Sequence, residues 1–135
     1  MKHTHLTIRE ISQRWHDEAR QNQPLSMELI GDLLDDFRQR TPTTSAKMEL
    51  VAQPPVWFQT EQHTDCNAYL AAVAETLCRE TGLAPPPWTE SPLCYLHRPW
   101  FACGLETLKA LLLVESPVPF RRRNLFVSAN ALSRV

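Results

Sequence analysis

DCNAYLAAVAETLCRET, at residues 65–81, has the apolar periodicity of a long helix. The residues that fall on its apolar face are Tyr69, Leu70, Val73 and Leu77. Gly82 follows directly, at the position where a residue without a side chain most readily ends a helix. The sequence therefore predicts a helix over residues 65–81 as one of the principal elements of the fold.

Three further helices are predicted around it. Thr7 and Glu10 fit a capping box, in which each side chain accepts a hydrogen bond from an unpaired backbone N–H, so a helix is expected over residues 7–21. Apolar residues at helical spacing predict a second helix over residues 26–40. A leucine-rich run predicts a fourth within residues 104–116.

The connections between these helices are rich in proline. Residues 43–45 can cap a short helix that ends at Val51, and an extended conformation over residues 47–52 is the alternative. The APPPW stretch, residues 84–88, predicts a polyproline-like connector. Towards the C-terminus, residues 124–127 alternate in a way that also allows a short edge strand.

The predicted fold class is all-α: a compact bundle of about four principal helices, with proline-rich connectors and a partly extended C-terminal segment, in a single helical domain over residues 1–135. Three glycines against eleven prolines argue against a barrel, a sandwich or a glycine-rich phosphate loop. The predicted core is Ile11, Trp15, Ile30, Leu33, Leu34, Phe37, Leu70, Val73, Leu77, Leu108, Leu111 and Leu112. Trp57, Trp88 and Trp100 are expected in proline-flanked loops, either as lids over that core or as an exposed binding surface.

Composition indicates a cytoplasmic protein. No apolar run is long enough for a membrane span, and MKHTHLTIRE at the N-terminus lacks the apolar stretch of a signal peptide. In the cytoplasm the cysteines are expected as reduced thiols rather than as disulfides. A net charge of −1 gives no general attraction to nucleic acid or to an anionic membrane.

Two mirrored pairs of residues have the spacing of metal ligands. His63 and Cys66 are three residues apart, as are Cys94 and His97. Together they are the candidate ligands of a zinc site; the alternative is separate buried thiols and solvated imidazoles. Cys94 or Cys103 with His97 is a candidate nucleophile–base pair, but no family-type signature or oxyanion-holding turn accompanies it. The chain is therefore predicted to have no catalytic residues and no cofactor.

The C-terminal segment SPVPFRRRNLFVSANALSRV, residues 116–135, differs in charge from the rest of the chain. Residues 121–135 hold four of the fourteen basic residues and none of the fifteen acidic ones. Arginine among apolar and aromatic side chains is typical of protein interfaces. The predicted partner-binding residues are Phe120, Arg121, Arg122, Arg123, Leu125 and Phe126. Two alternatives are phosphate contacts with a nucleic acid, and internal packing of the three arginines against Asp32, Asp35 and Asp36.

The run ESPVPFRRRNLFVSANAL, residues 115–132, resembles the C-terminal end of small uncharacterised bacterial proteins whose genes lie beside those of nucleotidyltransferase-like proteins, in a toxin–antitoxin style of arrangement. Residues 1–110 resemble no family. The resemblance implies an accessory or neutralising protein with a bacterial protein partner. The leading hypothesis is thus a non-enzymatic, antitoxin-like interaction protein. A nucleic-acid-binding regulator and a small zinc-binding module are the alternatives.

Overall fold

The computed structural model describes residues 6–102, 112–113, 115–129 and 131–133. These residues are mostly helical, as predicted. The α-helices are α1 (Ile8–Arg20), α2 (Glu28–Asp35), α3 (Thr44–Val51), α4 (Thr64–Glu80) and α5 (Val118–Arg121). Short 3-10 turns span Glu61–His63, Pro87–Glu90 and Pro92–Cys94, and a π-helical turn spans Asp36–Arg40. No helix among the described residues has the length and apolar character needed to cross a membrane.

The fold is not purely all-α, because two short strands pair in parallel. They are β1 (Trp100–Phe101) and β2 (Leu125–Phe126), with Trp100 opposite Leu125 and Phe101 opposite Phe126. Strand β2 lies inside the range that the alternating pattern allowed. Trp100 was expected in a loop, and this was wrong, because its backbone N–H donates to Asn124 across the ladder at 2.8 Å.

The first half of the chain follows its local signals closely. Thr7 and Glu10 form the predicted capping box at the start of α1, with hydrogen bonds of 3.1 and 3.0 Å. Helix α2 ends earlier than predicted, and the chain continues to Arg40 as the π-helical turn. Thr43 caps α3, so the helical alternative for this segment is confirmed and the extended one is wrong. The capping box of α1 and the cap of α3 both lie within one turn of the start of the helix that they predict.

Helix α4 is the central element, and it lies against the 3-10 turns, α5 and β2. Four of its alanines, Ala68, Ala71, Ala72 and Ala74, have no exposed surface, and small side chains let neighbouring segments approach closely. The polyproline prediction holds only as far as Pro86, because Pro87 begins a 3-10 turn that buries Trp88 against α3. The Trp88 indole N–H donates to the carbonyl of Val51 at 2.8 Å.

The C-terminal segment differs from the prediction after Pro117. Helical backbone ends at Glu115, just before Pro117, as predicted. The chain does not then continue as an extended segment, because Pro117 caps the short helix α5 and Pro119 lies within the first turn of that helix. A proline in the first helical turn loses no hydrogen bond, because the N–H there has no partner within the helix. Most of the predicted helix over residues 104–116, with Leu108 and Leu111, lies outside the described residues. All other predicted core residues are buried.

Candidate interaction site

Arg121 is the last residue of α5, and Arg122 and Arg123 lie in the turn that joins α5 to β2. Backbone hydrogen bonds from Arg123 to Phe120 and from Asn124 to Arg121, both 3.0 Å, tighten this turn. Asn124 adopts a left-handed backbone conformation with φ of 65°, and its side-chain amide donates to the carbonyl of Leu96 at 2.7 Å. Because the chain reverses here, the three consecutive side chains have very different surroundings.

Arg123 is fully buried, with a solvent-exposed fraction of 0%. Its Nη1 donates to Glu75 Oε1 at 2.6 Å and to the carbonyl of Pro119 at 2.7 Å, and its Nη2 donates to the carbonyl of Thr89 at 3.0 Å. The guanidinium carbon lies 5.3 Å from the ring centre of Tyr95. A buried charge of this kind is tolerated only when it is paired and hydrogen-bonded, and here Glu75 supplies the opposite charge.

Glu75 is the buried acid at the centre of this arrangement, and three arginines donate to it. Arg79 Nε contacts Oε2 at 2.6 Å, and Arg122 Nη1 contacts Oε1 at 2.9 Å, beside Arg123. Burial by itself would raise the pKa of Glu75, but the hydrogen bonds from Arg123 and Arg79 outweigh it and hold the pKa below its usual value. The carboxylate is therefore charged at neutral pH.

Glu90 forms the outer part of the same group. Arg122 donates two hydrogen bonds to the Glu90 carboxylate, from Nη1 to Oε1 at 3.0 Å and from Nη2 to Oε2 at 2.9 Å. The Tyr95 hydroxyl donates to the same carboxylate. The hydrogen bonds from Arg122 and then Tyr95 lower the pKa of Glu90. Unlike Glu75, the Glu90 side chain is 53% exposed. We call these residues the arginine–glutamate cluster; its members are Glu75, Arg79, Glu90, Tyr95, Arg122 and Arg123.

The structure divides the predicted partner-binding residues into two groups. Phe120, Arg123, Leu125 and Phe126 are buried within the chain and are not accessible to a partner in this conformation. Arg121 and Arg122 are exposed. The exposed neighbour that the sequence did not single out is Val118, with 57% of its surface accessible.

The alternative prediction, that the arginines pack internally, was wrong about which acidic residues they contact. Arg122 and Arg123 pair with Glu75 and Glu90 rather than with Asp32, Asp35 and Asp36. The acidic face of α2 acts instead on Arg40, whose pKa is raised by a hydrogen bond to Asp36 and by the charges of Asp35 and Asp32. The sequence did contain a signal for Glu75, because it lies seven residues after Ala68 on the buried face of α4. A lone acid on such a face is either protonated or paired with a cation, so its presence indicates that a basic side chain can pack there.

The candidate zinc ligands are not brought together. Cys66 and Cys94 are buried, and burial is the main reason that the pKa of each thiol rises to about 12. His97 is exposed and lines a groove of about 310 Å³, whereas His63 lies in a different groove beside Phe58. Within the described part of the chain, no three histidine, cysteine or acidic side chains are placed to hold a metal ion. Cys103 lies outside the described residues.

The tryptophans pack as lids rather than as an exposed surface. Trp88 is 9% exposed and meets Trp57 edge to face at 6.2 Å. Trp57 and Trp100 are half-buried against the core.

No model of a known protein family matches the chain, and neither a curated protein nor a solved structure is significantly similar to it. The geometry of the chain itself is therefore the basis for any functional proposal.

We expect acid to destabilise the fold through Glu75 and Glu90. Because the pKa of each folded-state carboxyl lies below the ordinary value of 4.5, each stabilises the fold above that value and loses this contribution as the pH falls through the folded-state pKa. The urea midpoint of the wild-type protein should fall over this range, and that of Glu75→Gln should fall less. Equal pH dependence in the two proteins would contradict the assignment.

Proposed function

We propose that the protein is a non-enzymatic interaction protein that binds a protein partner through the exposed side of α5 and the turn after it. The observation that carries this proposal is the division within the arginine run. The arginine–glutamate cluster fixes the turn from inside, while Val118 and Arg121 remain exposed. These two residues are three positions apart in α5 and therefore lie on the same face of the helix.

This face has the chemistry of a small interface. Arginine is enriched at protein interfaces, and an exposed apolar side chain beside it supplies area that a partner can bury. Because Phe120 and Leu125 anchor the segment in the core, its binding side is held in place before the partner arrives. A pre-ordered surface loses less conformational entropy on binding than a flexible tail.

The nucleic-acid alternative has less support. With Glu90 in place, Arg122 and Arg123 are paired with Glu75 and Glu90, so of the three consecutive arginines only Arg121 is then left to neutralise a phosphate. A single phosphate contact gives weak binding and little salt dependence. The zinc-module alternative has no group of ligands among the described residues.

The resemblance of residues 115–132 suggests the kind of partner. We infer a bacterial, nucleotidyltransferase-like protein encoded nearby, for which this chain acts as an antitoxin-like or accessory subunit. A cytoplasmic setting agrees with the described cysteines, Cys66, Cys78 and Cys94, which are free thiols.

Affinity capture from the native organism tests the proposal, with mass spectrometry as the readout. We expect the wild-type protein to retain a specific partner and the Val118→Asp/Arg121→Glu variant to lose it. The matched control is Met27→Asp/Arg14→Glu, which makes the same apolar-to-acidic and basic-to-acidic changes at exposed positions outside α5 and should retain the partner. Equal recovery by all three proteins would contradict the proposed surface.

A further inference from the structure

We propose that Arg122 and Tyr95, backed by the charge of the buried Arg123, form a carboxylate-binding site that Glu90 occupies in the free protein, and that an acidic side chain of the partner takes the place of Glu90. This inference rests on the interaction function proposed above and specifies the chemistry of the partner. Arg122 directly follows Arg121 in the chain, so the site begins one residue after the proposed contact surface.

The donors already surround one carboxylate. Arg122 holds Glu90 in a fork with two hydrogen bonds of 2.9 and 3.0 Å, Tyr95 adds a third from its hydroxyl, and Arg123 Nη2 lies 3.9 Å from Glu90 Oε1. Two parallel N–H donors from one guanidinium match the spacing of carboxylate oxygens. This geometry would accept the carboxylate of another aspartate or glutamate equally well.

These donors do not depend on Glu90 for their position. Arg123 is fixed by Glu75, by two backbone carbonyls and by its burial, and Arg122 also donates to Glu75. If the Glu90 side chain rotated away, both guanidiniums would therefore stay in place. The guanidiniums are thus held by contacts with the protein interior, whereas the carboxylate that they bind, that of Glu90, lies at the surface.

The charge balance favours an added anion. Three guanidiniums, those of Arg79, Arg122 and Arg123, face two carboxylates, those of Glu75 and Glu90. The cluster thus carries one excess positive charge with Glu90 in place and two without it. An incoming carboxylate would restore the balance that the departure of Glu90 removes.

Glu90 is the replaceable member of the cluster. It ends the 3-10 turn Pro87–Glu90, and half of its side chain faces water, whereas Glu75 is 3% exposed. A partly exposed ion pair contributes little to stability, because water solvates both charges when they separate. Exchange of one carboxylate for another at this position therefore costs little.

Chemical rescue of Glu90→Ala tests the site without any partner. We expect sodium acetate to raise the melting temperature of this variant above that in sodium chloride of equal ionic strength, by about 3–5 °C at roughly ten times the acetate Kd. Saturation-transfer NMR should show contact of the acetate methyl group with the variant. The wild-type protein, with Glu90 in place, should show neither effect.

Two controls separate the site from a general salt effect. Glu80→Ala frees a lone guanidinium, because Arg38 holds Glu80 in a similar fork at 3.0 and 2.7 Å. It should not be rescued, since no second arginine or tyrosine hydroxyl among the described residues belongs to that pair. Glu90→Ala/Arg122→Met removes the fork and should lose the acetate effect.

The outcomes are decisive in either direction. Equal melting temperatures of Glu90→Ala in acetate and chloride, with no NMR contact, would overturn the carboxylate site. Rescue by inorganic phosphate but not by acetate would also overturn it, in favour of a phosphate ligand. Acetate rescue together with failed partner capture would leave the site standing and refute the proposed function, so the two failures are distinguishable.

Discussion

Glu75→Gln is expected to lower the free energy of unfolding by about 3–5 kcal/mol, because it leaves the charge of Arg123 buried without a compensating charge. Arg123 has no exposed surface, so water cannot take over the role of the carboxylate. Arg122 loses one of its two partners at the same time. Urea unfolding at neutral pH measures the effect directly.

Glu90→Gln is the matched control for this substitution. It makes the same chemical change in the same cluster, but at a side chain that is half exposed. We expect it to cost less than about 1 kcal/mol, as is usual for ion pairs at the surface. If the two variants lost the same stability, Arg123 would not depend on Glu75 as its buried counter-charge.

Phe120→Ala is expected to cost about 3–5 kcal/mol, the usual loss when a buried phenylalanine is truncated and a cavity remains. Phe120 has no exposed surface and meets the ring of Tyr69 on α4 edge to face, with ring centres 5.4 Å apart. Phe120→Leu keeps most of the volume and should cost less than about 1.5 kcal/mol. The free energy of unfolding in urea is again the measurement.

Val118→Ala provides the control within the same short helix. Its side chain is largely exposed, so truncation should change stability by no more than about 0.5 kcal/mol. Comparable losses for Val118→Ala and Phe120→Ala would mean that α5 is not anchored through Phe120. In that case the pre-ordered contact surface would lose its physical basis.

Local signals were sufficient to predict the first half of the fold. The capping box of Thr7 and Glu10, the cap at Thr43 and the stripe on α4 each depend on residues within one or two helical turns. The β1–β2 ladder was not predictable in this way. It pairs Trp100 with Leu125 across many intervening residues, and no local pattern specifies that register.

The candidate site was predicted in its composition but not in the direction of its side chains. The sequence marks Arg121, Arg122 and Arg123 as unusual, yet it gives no means of deciding which of them is buried. That depends on the left-handed turn at Asn124 and on the docking of this segment against α4. Glu75 was the missed half of the pair, because it lies off the predicted apolar face of Tyr69, Leu70, Val73 and Leu77, whereas α4 is buried on almost every side.

Arg123 is buried and Arg121 is exposed, although they are only two residues apart. This contrast allows the most direct test of the central claim, that the segment from α5 to β2 is anchored in the protein interior and exposes only its outer side to a partner. The measurement is the free energy of unfolding of Arg123→Gln and Arg121→Gln in urea at neutral pH. We expect Arg123→Gln to lose about 3 kcal/mol or more, because a buried charge pair is broken. Arg121→Gln should remain within about 0.5 kcal/mol of wild type. Equal stability of the two variants would contradict the claim.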